Sequence, residues 1–482
     1  MKKETVVLYC GMGVGHLVPM IELAMLFHRH GFFTTVISAD PPNKISSASN
    51  LINQQDKENH LISFHNLPAA IQHDPNRHPM ELMFEAIRAN NRYLYDFLTS
   101  LSNTNSIRTL VVDVFCTDAL EIARQLSIPA YVHFPSAASV LAIYIHLPVF
   151  HITTGISFKD MECTSLDFPG VPPIPVADIP YTLQDRDTEI YQTRIEKFTQ
   201  LAEADGILVN SFESLEARAV RALKDGVCLP GRKMPPVYCI GPLVKKENGK
   251  KIEERHICLT WLDSQPKGSV IFICFGSVVA LLIDQINQIA IGLERSSQRF
   301  LWVLRSTNDE NKMFEPQPDS DLDSVLPDGF LDRTKNRGMV INSWAPQMDV
   351  LNHASIGSFL SHCGWNSTLE AIVAGVPIIC WPIFAEQGIN KVLLTEEIKV
   401  GVVMKGCEEE FVQAEEVEEK VRWLMASEGG RVLREHMLAA KEKAREAMAD
   451  DGPSAKAFTE FLRDLRLKLN GEDERSSDSF LC

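Results

Sequence analysis

Short apolar runs recur along this chain, each followed by residues with helical spacing, and an α/β fold is what that alternation most directly accommodates. The run TVVLYC at 5–10 leads into a glycine-rich turn and a helical pattern over 17–30, and 33–37 reads as the next strand. Further buried-strand candidates lie at 109–113, 130–134 and 207–210, with helical patterns at 117–126 and 212–223. After VYCIGPL at 237–243 and a charge-rich run at 245–254, the alternation restarts, with strands expected at 270–275, 300–304, 338–342, 355–361 and 377–381. The pattern predicts βαβ units and parallel sheets covered by helices on both faces.

Compact domains run to about 100–200 residues, so 482 residues suggest two of them. We place the first Rossmann-like domain at 1–244, a linker at 245–254 and the second at 255–469, the two facing one another across a cleft. The last helical pattern, 454–469, is free to pack back on the first domain, and the polar tail 470–482 reads as disordered. With 63 acidic against 47 basic residues, the net charge of −16 repels nucleic acid and anionic membranes, so any phosphate ligand must be held locally. The first apolar run is only a strand long, and the longest later one, 136–150, contains His146 and Pro148 and is too short to span a bilayer. No membrane insertion is expected. Eleven scattered cysteines without a C-x-x-C pair argue against disulfides and zinc, and point to a cytoplasmic protein.

In open parallel sheets, ligands bind beyond the carboxyl ends of the strands. The segment WAPQMDVLNHASIGSFLSHCGWNSTLEAIVAGVPIICWPIFAEQ, 344–387, places unusual polar residues in such positions. Strand 355–361 turns through His362-Cys363-Gly364-Trp365-Asn366-Ser367 into a helix carrying Glu370, and a helix N-terminus of this kind suits a pyrophosphate. Taken singly, Ser367-Thr368-Leu369-Glu370 also fits a capping box, and Trp344 a core aromatic.

Taken whole, the segment resembles the nucleotide-sugar box of plant UDP-dependent secondary-product glycosyltransferases, family 1 of those enzymes, which share the two-domain GT-B fold. The resemblance implies that Trp344 stacks on uracil, Ala345 and Gln347 fix the base and ribose, and Glu370 accepts from the ribose hydroxyls. His362, Asn366 and Ser367 would contact the phosphates, joined by Ser277 in the Phe275-Gly276-Ser277 loop. Glu386 and Gln387 would hold the sugar hydroxyls, with Trp365 nearby. In this family a final Gln accompanies glucose and a final His galactose, and an Arg at the Trp365 position accompanies glucuronic acid, so UDP-glucose is the expected donor. Glu386 stands where many members carry Asp, which leaves its reach to the sugar hydroxyls open.

The turn Gly11-Met12-Gly13-Val14-Gly15-His16 superficially suggests a dinucleotide fingerprint, with Asp40 as the ribose-binding acid, but its third glycine is misplaced. A lone histidine at a helix start is more often a solvated polar residue than a catalyst. The family resemblance implies instead that His16 is the general base and that Asp113, ending strand 109–113, orients it. Asp113 also suits a cap for the helix from Thr117, and Asp118 is a nearby alternative placed inside that helix. Gly15 and Ser136 are counted with the donor contacts, although Pro135 stands where many members have Thr.

The acceptor is expected in the first domain, around Phe84, Phe115, His146 and the loop between Thr182 and Thr193, each of which fits a core residue equally well. The strings SFHNLP at 63–68 and PPVYCIGP at 235–242 resemble the branch that glucosylates flavonoids and chalcones. The expected reaction is inverting transfer of glucose from UDP-glucose to a small phenol by a monomer that needs neither metal nor cofactor. A terpenoid or hormone acceptor, or attack by carbon, keeps every residue assignment; an NADP oxidoreductase or a non-catalytic UDP-sugar-binding protein does not.

Overall fold

Val6, Val7 and Leu8 are fully buried in succession, as a central parallel strand covered on both faces requires. The computed structural model describes residues 2–39, 62–68, 71, 77–161, 164–245, 255–307, 321–342, 344–407 and 411–478, with side chains as far as 471. Its first sheet is built from β1 (Lys3–Tyr9), β2 (Phe33–Ala39), β3 (Ile62–Leu67), β4 (Asn105–Asp113), β5 (Ala130–Phe134), β6 (Ile207–Val209) and β7 (Val237–Cys239). The order β3-β2-β1-β4-β5-β6-β7 is parallel throughout. Helices that matter below are α1 (Val14–Arg29), α2 (Pro79–Ala89), α3 (Ala138–Thr154) and α4 (Glu189–Gln200).

The second sheet contains β8 (Val270–Cys274), β9 (Arg299–Leu304), β10 (Gly338–Asn342), β11 (Ile356–Ser361), β12 (Ile378–Cys380) and β13 (Gly401–Val403). Its order is β10-β9-β8-β11-β12-β13, again parallel, and α5 (Trp365–Ala374) follows β11. Each sheet reverses its winding once, between β1 and β4 in the first and between β8 and β11 in the second. Such switch points leave a crevice at the strand carboxyl ends, and the site candidates follow these strands.

The chain divides into two compact units, Met1–Val176 with Tyr181–Val244 and Glu446–Cys482, and Ala177–Pro180 with Lys245–Arg445. The sequence reading carries the second domain to 469, whereas by contact the chain rejoins the first unit at Glu446. The cause is aromatic. Phe458 and Phe461 of the C-terminal helix Pro453–Asp478 meet the Phe27 ring edge-on at 5.1 and 5.8 Å, and Phe461 meets Tyr131 at 4.8 Å. Burying each such ring is worth about 1.5–3 kcal/mol. That helix runs to Asp478, past Leu469, where the sequence reading ends it in a disordered tail.

The strap Ala177–Pro180 belongs by contact to the second unit, where buried Asp178 pairs with buried Lys391 at 2.7 Å. A Cβ on Gly388 would fall 2.6 Å from the Asp178 carbonyl oxygen, so the strap lies directly on that glycine. The second unit's own core centres on Trp302, Phe300 and Phe330, each nearly solvent-free. Among the described residues, no helix is long and apolar enough to cross a membrane.

Candidate active site

At the first switch point the chain leaves β1 through Gly11 and Met12, and Gly13 caps α1 with φ of 107°, a conformation that favours glycine. His16 therefore sits in the first turn of α1, half-exposed. Opposite it, Asp113 ends β4 fully buried. Asp113 Oδ2 lies 2.7 Å from His16 Nδ1, while Oδ1 accepts the Phe115 backbone N–H at 2.9 Å. An ionised carboxylate only accepts, so Nδ1–H donates and Nε2 is the ring nitrogen that carries the lone pair.

One oxygen of Asp113 thus faces the imidazole and the other caps a turn, which is Val114–Cys116 rather than the helix after Thr117. The Phe115 ring packs on the imidazole at 4.4 Å and fixes its plane. Gly11, which spacing alone did not single out, is needed for this approach, since a Cβ there would stand 2.3 Å from Asp113 Oδ1. A dinucleotide would need that glycine turn for its pyrophosphate, but the Asp113 carboxylate already occupies it. Asp40, the acid of that reading, lies outside the described residues.

Asp118 is not inside a helix; it precedes Ala119–Gln125 as its N-cap. Its carboxylate is engaged by Lys197 at 2.5 Å, Gln200 at 2.9 Å and Arg88 at 3.3 Å, which removes it from the dyad. Gly15 is exposed beside His16, and Ser136 is buried in the turn after β5. The amides of Ala138 and Ser139 that open α3 are taken by the Glu216 carboxylate, both at 2.9 Å. His146 contacts the Cys228 carbonyl through Nδ1 at 3.2 Å.

The second switch point has the opposite character. Trp344 is 65% exposed, so the core reading of this tryptophan fails, and an apolar face of that size in water suits a stacked ligand. Its ring partner is His256, edge-on at 5.8 Å, another residue that spacing could not reveal. Ala345 is buried just behind it. Gln347 Nε2 donates to Ser367 Oγ at 2.9 Å and to Glu370 Oε2 at 2.6 Å, joining three of the expected donor residues. Burial pushes the Glu370 carboxyl up to about 7, against the Gln347 bond that favours its ionised form.

The capping-box reading also fails. Gly364 is the N-cap of α5, so Ser367 and Glu370 lie inside the helix, and no side chain caps it. A helix start without a side-chain cap, with the positive end of its dipole there, favours an anion. His362 lies between two glycines: a Cβ on Gly276, where φ is 81°, would meet its ring at 2.8 Å, and one on Gly364 at 2.4 Å. Burial pushes the His362 imidazole down to about 4, so it is neutral at physiological pH.

Ser277 is exposed in the Gly276 turn, and its carbonyl accepts from Arg305. Asn366 is partly buried and Trp365 is buried. Gln387 is bonded to the turn just before it. Its Oε1 accepts the Ile383 and Phe384 backbone N–H groups at 2.9 and 3.0 Å, leaving the Nε2 amide for a ligand. Glu386 is the N-cap of the short helix Gln387–Val392.

Comparison with known proteins agrees with this geometry. The family model for UDP-glucuronosyl and UDP-glucosyl transferases matches residues 229–409. UDP-glycosyltransferase 88B1 of Stevia rebaudiana is 41% identical over 462 residues, covering 95% of this chain and 98% of its own. Anthocyanidin 5,3-O-glucosyltransferase of a Rosa hybrid cultivar is 38% identical over 473 residues, with 95% and 98% covered. The structure of Phytolacca americana UGT2 complexed with UDP-2fluoro-glucose and pterostilbene superimposes with a TM-score of 0.85 at 34% identity, covering 96% of this chain and all of that one. With two parallel-sheet units, a His–Asp pair at one switch point and an uncapped helix beside an exposed tryptophan at the other, the chain belongs to the UDP-glucuronosyl and UDP-glucosyl transferase family and is a UDP-glycosyltransferase of the GT-B fold.

Proposed function

We propose that this enzyme transfers glucose from UDP-glucose to a hydroxyl of a small plant phenol of the flavonoid, chalcone or related class, with inversion at the anomeric carbon. The observation that carries the reading is the 2.7 Å contact that orients His16 through Asp113 and leaves Nε2 to take a proton. Relatives acting on an anthocyanidin, and a similar structure holding pterostilbene, support a phenolic acceptor.

A phenol titrates near 10 and an imidazole near 6.5, so prior ionisation by His16 would cost about 5 kcal/mol. The proton therefore leaves as the new bond forms, and the buried Asp113 carboxylate stabilises the imidazolium that results. The oxygen attacks the face of the anomeric carbon opposite UDP. Trp344 stacks on uracil with Ala345 beside it, Gln347 and Glu370 hold the ribose, and α5, through Asn366 and Ser367, receives the pyrophosphate with His362 and Ser277. Helix amides and a neutral imidazole N–H then stabilise the charge that develops on the departing UDP. Gly15 and Ser136 are counted with the donor contacts. Glu386 and the Nε2 of Gln387 meet the sugar hydroxyls near Trp365. We read the protein as a cytoplasmic monomer, in keeping with every described cysteine being a free thiol.

The test is incubation with UDP-glucose, UDP-galactose or UDP-glucuronate and a panel of phenols, terpenoids and hormones. The expected product forms from UDP-glucose and a phenol, and releases the phenol on acid hydrolysis. A product that survives acid contradicts transfer to oxygen, and turnover confined to terpenoids or hormones contradicts the phenolic acceptor.

A further inference from the structure

Helix α4 buries two cations three residues apart, and the fold treats them differently. Lys197 is 1% exposed and Arg194 is 5% exposed, a burial that cationic side chains rarely reach unless the charge is answered. Lys197 is answered by the Asp118 carboxylate, 2.5 Å from Nζ. Among the described residues, Arg194 has no carboxylate partner. Its Nη atoms donate to the hydroxyls of Thr182 and, at 3.0 Å, Tyr144, and its Nε–H is buried without a partner. The Tyr144 and Phe198 rings, stacked at 4.2 Å, each lie 5.3 Å from the guanidinium carbon and offset the charge only in part. A guanidinium presents five donors in a planar fork matched to a carboxylate, and two neutral hydroxyls do not fill it.

The residue also lies on the face of α4 that meets an aromatic band beginning at the proposed base. The His16 ring packs on Phe115 at 4.4 Å, and Phe115 meets Phe84 edge-on at 5.5 Å. Phe84 lies 6.0 Å from Lys197 Nζ, and Arg194 shares that face of α4 one turn earlier. A flat aromatic molecule with its reacting hydroxyl at His16 would extend along these rings toward Arg194.

We propose that Arg194 is a specificity residue that recognises an oxyanion, either a carboxylate or an ionised phenol, on the part of the acceptor remote from the reacting hydroxyl. The inference rests on the phenolic-acceptor reading above. An oxyanion there both answers the buried charge and occupies the unused donors, whereas a neutral substituent does neither.

The test is calorimetric titration, with UDP present, of a phenol bearing a free carboxylate and of its methyl ester. Wild type, Arg194→Met and Arg194→Lys are compared. Wild type is expected to bind the carboxylate about 10- to 100-fold more tightly than the ester. That ratio should collapse in Arg194→Met and fall to an intermediate value in Arg194→Lys, which keeps the charge without the fork. Absence of a preference in wild type, or equal weakening of both ligands in Arg194→Met, overturns the proposal. If the Met variant does not fold, an unchanged ratio in Arg194→Lys overturns it instead. Binding requires no turnover, so carboxylate preference without glucose transfer to any phenol would contradict the functional reading and leave the Arg194 assignment standing.

Discussion

The two switch points share a topology and differ in what enters the crevice. In the first, the Asp113 side chain comes in from β4 and passes over Gly11 to reach His16, so the glycine turn is filled by a carboxylate paired with an imidazole. In the second, Gly276 and Gly364 make room for the neutral ring of His362, and α5 begins without a side-chain cap, the kind of helix start that favours an anion. On the proposed function, one fold element thus serves as a base in one place and a phosphate cradle in the other. The difference is decided by which side chain meets the glycines.

If that contrast is right, it can be broken from either side. Loss of His16 itself apart, the largest effect is expected from Asp113→Asn, which keeps the shape but removes the charge opposite the imidazolium. Turnover should fall about 10²- to 10³-fold, and near-wild-type rates in a steady-state assay would remove Asp113 from the dyad. Gly11→Ala is next. The added methyl overlaps Asp113 Oδ1, so kcat should drop about tenfold or more while calorimetry finds UDP affinity unaltered.

On the donor side, Glu370 supplies a pH signature. Its carboxyl is pushed up to about 7 by burial, and on the proposed function the ionised form is the one that accepts from ribose hydroxyls. Affinity should therefore rise as pH increases through about 7, roughly tenfold between pH 6 and pH 8. Uridine is the suitable ligand, because it has no phosphate to titrate over this range. Glu370→Gln should flatten the profile, and a slope that persists in that variant would assign the titration elsewhere. The smallest effect is expected from Gln387→His, which loses both bonds to the 383–384 backbone and should narrow the preference for UDP-glucose over UDP-galactose by a few-fold, about 1 kcal/mol. An unchanged donor profile would refute a sugar contact.

Much of this was legible in the sequence, for reasons that also explain the gaps. The strands Ala130–Phe134 and Gly338–Asn342 agree with the sequence reading residue for residue because their apolar runs are bounded by clear breaks. The edge strand Ile62–Leu67 was hidden by His65 and Asn66, which interrupt its apolar run, and β4 starts early, at Asn105, through polar residues that only pairing with β1 makes extended.

At the site, the 344–387 segment carried the family resemblance, and the resemblance pointed to His16 and Asp113, but local spacing misplaced the start of α5 because Ser367 and Glu370 imitate a capping box. Gly11 and His256 could not be foreseen, since what they face comes from distant parts of the chain. The contrast between Lys197 and Arg194 was equally invisible, because burial and pairing are tertiary facts.

The central claim is a division of labour, with proton removal in the first unit and donor binding in the second. Its most direct test is to measure UDP affinity and saturated turnover on the same preparations of His16→Ala and Trp344→Ala. The account predicts that His16→Ala binds UDP within about twofold of wild type while turnover falls about 10²- to 10⁴-fold. Trp344→Ala should weaken UDP binding by about tenfold or more yet keep most of its turnover at saturating donor. Loss of binding and turnover together in both variants would contradict it.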